Sequence, residues 1–503
     1  MNLPRWIVPI LLVLGLTSLA VAGPRDERWY VMLLQDQRAG YVQAIQEETP
    51  AGIRSFTDMR LKIKRGALTL NLSITSEWLE TPEGEAISAS SVAVLGAAPV
   101  KRSYRFLPDS LEVTTEQGGQ KTVVTQPRPA GKWLPPAAAA REAKARLDAG
   151  DKTITTRTLE DDLMTGLSPV ESTRTVLEKT TVEVFGKTVP AVKWKIKVDR
   201  YADLDAVDFV DDDGTPLRSE INLGGMKIVQ LAADKALAMS DLNPPELLVS
   251  TLVKPDKPIK NPRRLREGRF VLALPGADDR LADFPTTPAQ KVERVDARTL
   301  RVTISSPPAQ DAAAPPGTSP TASERAEALE SSAMIGCDDP AVKALLREGT
   351  AFAKQPPAKR AEQWRRFVHH FIKEKDLSVG LATASETART RTGDCTEHAV
   401  LLAAILRADR IPARVASGLI YADAFAGATE IFGYHMWTQA LLGDGDAARW
   451  TDVDATLDDQ TPFDATHIAL AVSNLADAGG ENPMLALVPL LGRLTIKIEG
   501  TTP

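Results

Sequence analysis

Two cysteines, Cys337 and Cys395, are all that this chain of 503 residues contains. A disulfide framework is therefore excluded, and at most one Cys337–Cys395 bridge can form. Positive charge is not in excess either. Sixty Lys and Arg stand against 66 Asp and Glu, and a net charge of −6 with no long basic tract gives no reason to expect nucleic acid as a partner. No apolar run reaches the roughly 20 residues that a spanning helix needs. No phosphate loop, dinucleotide fingerprint or calcium loop is visible. His369-His370 has no metal-ligand spacing to a cysteine or to another histidine, so neither a metal nor a cofactor is expected.

What is present is an ordinary globular composition, 43% hydrophobic and 25% charged, in a chain long enough for two or three domains. Residues 1–22 differ from the rest. Arg5 precedes an apolar run from Trp6 to Leu19, and Ala20-Val21-Ala22 puts small residues before Gly23, the pattern of a secretory signal peptide. No cysteine lies nearby to carry a lipid. The expectation is a periplasmic or secreted protein with no stable membrane insertion once the signal is removed.

Residues 23–240 read as a β-rich domain. Met59, Leu61 and Ile63 are interleaved with Arg60, Lys62 and Lys64, and after Arg65-Gly66 the series Leu68, Leu70, Leu72 and Ile74 alternates with polar residues. Period two of this kind marks half-buried antiparallel strands. It returns at Val192, Trp194, Ile196 and Val198, and it fits a large curved sheet or open barrel covered on one side. A Pro- and Ala-rich stretch from Pro127 to Ala140 leads into a short helix through Leu147. Residues 241–306 read as a β-rich connecting region, with Pro255, Pro258 and Pro262 at edges and turns. Residues 307–322, within PPAQDAAAPPGTSPTAS, have a linker's composition and make the clearest boundary.

From 323 to 503 the period becomes helical. Asp338-Asp339-Pro340 starts one helix, and Trp364, Phe367, Val368, Phe371 and Ile372 form an apolar stripe on another. The run His398–Ala408 is apolar nearly all round, as a helix at the centre of a domain must be. Short strands follow at 414–421, 434–442 and 449–453. The fold class is α+β.

Cys395 follows Gly393-Asp394 at the point where that buried helix begins. A sulfur there lies near unpaired N–H groups and the positive end of the helix dipole, both of which favour a thiolate. His435 opens a strand, with Trp437 on the same face to shield its imidazole. A carboxylate on the strand 450–456 can accept one N–H of His435 and leave the other nitrogen for the thiol proton. Alternation puts Asp452 and Asp454 on one face, so both are candidates. His398, one turn after Cys395, reads as a structural neighbour, and His467 stands isolated beyond the sheet. Arg414 is expected to order its strand, through a buried carboxylate.

Gly393-Asp394-Cys395-Thr396-Glu397-His398-Ala399, Leu406-Arg407-Ala408 with Ile411-Pro412-Ala413-Arg414, His435-Met436-Trp437 and Asp454-Ala455-Thr456 together resemble the transglutaminase-like superfamily in order and spacing. The resemblance covers residues 323–475 at most. It implies a papain-like domain in which a central helix packs on a small antiparallel sheet, with Cys395 as nucleophile, His435 as general base and Asp454 as the orienting carboxylate. The family's usual His-Ala-Trp and Asp-Pro-Thr are here changed at Met436 and Ala455, neither of which is a reacting group. The following Ala455-Thr456 favours Asp454 over Asp452. The activity implied is acyl transfer from an amide of a protein or peptide substrate through a Cys thioester, by hydrolysis or onto an amine. The Cys395 N–H supplies one oxyanion donor, and the sequence names no second. The alternative is an inactive envelope scaffold that uses its β-rich region to bind a partner.

Overall fold

The computed structural model describes residues 25–65, 68–94, 99–117, 120–162, 166–199, 201–223, 226–246, 251–276, 280–306, 320–375, 382–443, 448–475 and 490–503. The signal segment at 1–22 and residues 307–319 of the expected linker lie outside these. The described chain divides into two compact units, one of residues 25–64 and 69–245 and one of residues 246–503 together with 65 and 68.

The first unit is a 14-stranded antiparallel sheet. Strands β1 (Arg25–Leu34) to β8 (Gln120–Pro127) form one meander, β9 (Thr153–Asp162) to β14 (Met226–Ala233) form a second, and the two join where β1 pairs with β14 from Trp29↔Ala233 to Leu34↔Ile228. Alternation dictates the faces. Met59, Leu61 and Ile63 on β3 (Gly52–Arg65) and Leu70, Leu72 and Ile74 on β4 (Leu68–Glu80) are buried, while Arg60, Lys62, Thr69 and Asn71 are exposed. Helix α1 (Pro136–Asp148) starts on a proline and turns a face of alanines, Ala137 to Ala140 and Ala143, into the core beside Ile154 and Trp194. A short helix, α2 (Lys235–Ala238), follows the last strand.

The second unit holds two four-stranded antiparallel sheets and five helices among its described residues. One sheet joins β15 (Glu267–Ala273), β16 (Gln290–Asp296) and β17 (Thr299–Ser305) to the C-terminal strand β22 (Thr495–Thr502), in the order β16-β17-β15-β22. The other joins β18 (Ala413–Phe425), β19 (Ala428–Leu442), β20 (Arg449–Val453) and β21 (Ile468–Ser473), in the order β20-β19-β18-β21. The helices are α3 (Ala322–Glu327), α4 (Pro340–Leu345), α5 (Pro357–Phe371), α6 (Ala384–Thr390) and α7 (Cys395–Ala408). Mostly sheet with few helices, the chain is α+β.

Helix α7 is buried from Cys395 through Arg407 and packs against α5, α6, β18 and β19. Burying Val400, Leu401, Leu402, Ile405 and Leu406 stabilises by about 1.5–3 kcal/mol for each large side chain. The Thr438 hydroxyl on β19 donates to the Ala399 carbonyl at 2.9 Å and so fixes the helix along the strand. At the far end Arg407 donates to the carbonyls of Ala413, Glu330 and Asn474, tying three segments to one guanidinium.

Candidate active site

Cys395 is the first residue of α7, so its N–H is among those the helix leaves without an internal partner. The turn before it is built by a capping box. Asp394 accepts the Thr396 N–H at 3.0 Å, and Glu397 reaches back to accept the Asp394 N–H at 2.9 Å while its other oxygen accepts from Ala382 at 2.9 Å. Glu397 is fully buried, and burial beside Asp394 raises its carboxyl well above the usual range. Gly393 is required by space, because a Cβ there would lie 2.2 Å from Glu397 Cβ. The Gly-Asp-Cys sequence is thus the geometry of one tight helix start.

His435 lies on β19, in register with Gly418 of β18. A Cβ on Gly418 would lie 2.0 Å from the Ile468 carbonyl, so glycine lets β18 and β21 close up beside the imidazole. His435 Nε2 donates to Asp454 Oδ2 at 2.8 Å, which leaves Nδ1 available to the Cys395 thiol, whose charge in turn raises the proton affinity of the ring. Asp454 stands one residue past the end of β20, where strand alternation no longer sets direction. Its Oδ1 accepts from the Thr456 N–H at 2.8 Å and the Thr456 hydroxyl at 2.7 Å, so the turn itself aims Oδ2 at the imidazole. Asp452, still within the strand, goes elsewhere. Its Oδ1 accepts from the Trp437 indole at 2.7 Å and from Gln439 at 2.8 Å.

Burial pushes the His435 imidazole towards the neutral form, but the charge and hydrogen bond of Asp454 outweigh it, and its pKa rises to about 10. Burial likewise pushes the Cys395 thiol up, and the neighbouring His435 imidazolium acts against that push. Asp454 is buried too, yet His435 and then His467 hold it well below the usual carboxylate range. The three groups favour a thiolate–imidazolium pair beside a fixed carboxylate.

His467, isolated in the sequence, is brought into this cluster. Its Nε2 lies 3.3 Å from Asp454 Oδ2, and its Nδ1 lies 3.0 Å from the Asp464 carbonyl and 3.4 Å from Asp464 Oδ1. Asp464 in turn meets Arg263 Nη1 at 2.5 Å through Oδ2. The signal for this was in the chain: Asp464-Ala465-Thr466 repeats Asp454-Ala455-Thr456 ten residues on. Both fold alike, with Thr466 donating its N–H at 2.8 Å and its hydroxyl at 2.5 Å to Asp464 Oδ1. Arg263 had no such signal. It sits on a 3₁₀ turn, Pro262–Arg264, in the connecting region. That region also holds β21 in place, since Gln290 exchanges two 2.8 Å hydrogen bonds with the Ala469 backbone as a neighbouring strand would.

The remaining expectations resolve locally. His398 Nδ1 donates to the Asp394 carbonyl at 2.6 Å, and burial lowers its pKa to about 4, which keeps it neutral. Among the described residues Arg414 meets no carboxylate directly; it donates to Gln439 Oε1 at 2.9 Å and lies over the Trp450 ring at 4.1 Å, and Gln439 passes the contact on to Asp452. His369 meets the Ala455 carbonyl at 3.1 Å, and His370 meets Asp459 at 3.0 Å. Cys337 and Cys395 are both free and buried. The donor atoms of His435, Asp454 and His467 fall within 4.8 Å of one another, and the hydrogen bonds among them account for the grouping.

A thiol at a buried helix start, an imidazole on the adjacent sheet and a carboxylate behind it are brought to one place. Residues 343–455 match the model of the transglutaminase-like superfamily, so the chain carries a transglutaminase-like domain there. The match includes Cys395, His435 and Asp454 and stops short of Asp464 and His467. No curated protein matches the chain. Among solved structures, a β-barrel-like protein of unknown function from Brucella abortus is similar over 43% of this chain and 98% of its own, at 10% identity and a TM-score of 0.31. A candidate cysteine protease from Cytophaga hutchinsonii is similar over 48% and 85%, at 14% identity and a TM-score of 0.27. The periplasmic domain of TgpA from Pseudomonas aeruginosa is similar over 41% and 75%, at 19% identity and a TM-score of 0.27. Among the described residues no helix is long and apolar enough to cross a membrane.

Proposed function

We propose that this chain is an exported cysteine-dependent acyl-transfer enzyme that acts on amide bonds of proteins or peptides. The observation that supports it most is the 2.8 Å hydrogen bond from His435 to Asp454, which fixes an imidazole that is electrostatically coupled to the Cys395 thiol. The Cys395 thiolate attacks the amide carbonyl carbon, and a C–S bond forms as the carbonyl π pair moves onto oxygen. The oxyanion collapses, the C–N bond breaks, and His435 gives its proton to the departing amine, leaving a thioester. An acceptor then attacks the thioester while His435 takes its proton, and the Cys395 thiolate departs. Asp454 keeps one imidazole tautomer throughout. Water as acceptor makes the enzyme a peptidase or amidase; a lysine amine makes it a cross-linking transglutaminase. No acceptor-amine site is specified by the chain, which favours water.

The test is the parent protein and Cys395→Ala compared on casein and on a glutamine–amine pair. Peptides released, or cross-links formed, by the parent alone give the reaction type; neither product from the parent rejects the reading. Labelling with iodoacetamide separates the enzyme from an inert scaffold, because Cys395 is expected to react rapidly near neutral pH and Cys337 slowly. Equal, slow labelling of both would favour the scaffold. Export predicts that the mature protein, recovered from the native host, begins at Gly23 by mass.

A further inference from the structure

His467 has acceptors on both sides of its ring. Nδ1 faces the Asp464 carbonyl and carboxylate, and Nε2 faces Asp454 Oδ2. A neutral imidazole carries one proton, so one nitrogen would turn a lone pair onto an oxygen that can only accept. The arrangement is satisfied when both nitrogens are protonated. The aromatic surroundings agree, since Phe463 stacks on His467 with centroids 4.0 Å apart and presents a π face to a cation.

Among the described residues, the carboxylates facing this ring favour its charged form, and the cations His435 and Arg263 stand beyond those carboxylates. Asp454 and Asp452 approach from the end of β20, Asp464 from the loop before β21, His435 from β19 with its ring centroid 5.8 Å away, and Arg263 from the 3₁₀ turn through Asp464. The charges alternate along Arg263, Asp464, His467, Asp454 and His435. Asp454 Oδ2 therefore serves two imidazoles, at 2.8 Å and 3.3 Å.

We propose that His467 is a positioning residue, held as a buried imidazolium, that shares Asp454 with His435 and so limits how firmly His435 keeps its proton. This rests on the reading of His435 as the group that moves the proton in acyl transfer. An imidazolium facing an unshared buried carboxylate would hold its proton too strongly to pass it to a leaving amine; a second cation on the same oxygen weakens that hold. Burial alone would discharge His467, but Asp464 and then Asp454 raise its proton affinity above the ordinary value. The site becomes a four-residue device, with its fourth member outside the segment that matches the family.

The experiment is a histidine-selective nitrogen NMR titration of the full chain, run beside the pH dependence of Cys395 alkylation by iodoacetamide. In the parent, His467 is expected to carry protons on both nitrogens at neutral pH. In His467→Gln, which can donate to Asp454 but brings no charge, His435 should lose its proton at a pH higher by about one unit, a roughly tenfold gain in proton affinity. The alkaline step of the alkylation profile should move with it. Asp464→Asn is the second variant: it keeps the ring and removes the anion that holds it charged, so His467 should lose its proton at lower pH and His435 should then follow His467→Gln. A singly protonated His467 in the parent at neutral pH overturns the proposal, and that measurement needs no variant to fold. A folded His467→Gln with an unmoved His435 titration overturns it equally. If parent Cys395 alkylates no faster than Cys337, the acyl-transfer reading fails, while the His467 titration still decides the charge assignment separately.

Discussion

Asp452, half-buried, and Asp454, buried, are two residues apart and bonded to different partners. The carboxylate that meets His435 is the one released from the strand and turned by Thr456; the one still in the strand holds the Trp437 indole. Their variants should therefore separate. Asp454→Asn removes the charge that favours the His435 imidazolium, and turnover should fall by about 10²–10⁴-fold with slower Cys395 alkylation at neutral pH. Asp452→Ala strips the acceptor from Trp437 and Gln439, and should cost about 1–3 kcal/mol in urea unfolding while Cys395 labelling changes little. Equal loss of labelling in both would mean that the two carboxylates act on His435 together.

At the scale of elements, the start of α7 and the hairpin between β18 and β19 show two uses of glycine. Gly393 abuts the Glu397 side chain, with 2.2 Å left for a Cβ. Gly427, at φ +84° in the hairpin, has nothing within 4 Å of the position a Cβ would take. Gly393→Ala should lower stability by about 1–3 kcal/mol through overpacking and slow Cys395 alkylation, because it displaces the capping box that sets the sulfur. Gly427→Ala carries only the backbone cost of a positive φ, about 1 kcal/mol. Its Cys395 should react as in the parent. Thermal melts and labelling rates on the two variants check the contrast.

For the whole molecule, the buried network links stability to pH with opposite signs at its two ends. His435 has its pKa raised from 6.5 to about 10, so its stabilisation is full below 6.5 and is lost as pH climbs towards 10. Asp454 is depressed from 3.8, so its stabilisation is present above about pH 4 and is lost as pH falls further. Urea midpoints should form a plateau between these limits. In a Cys395→Ala background, which removes the thiol's own titration, adding His435→Gln should abolish the alkaline decline of the second unit.

The sequence by itself determined the elements and the candidate reacting groups. Alternation places Met59, Leu61 and Ile63 inside a sheet, all-round hydrophobicity makes α7 a buried helix, and Gly393-Asp394-Cys395 encodes a helix start, because each of these is set by residues within a few positions of one another. Tertiary structure decided the partners. Whether Asp452 or Asp454 faces His435 depends on where β20 ends, and alternation cannot locate the end of a strand. His467 and Arg263 join the site from 32 residues after and 172 residues before His435 in the numbering, and no local pattern ties them to it. The same limit hid the buried Glu160, Arg174 and Asp208 of the first sheet. Side chains of opposite charge find each other only once strands far apart in the chain have packed, and a buried charge is tolerated only where such a partner arrives.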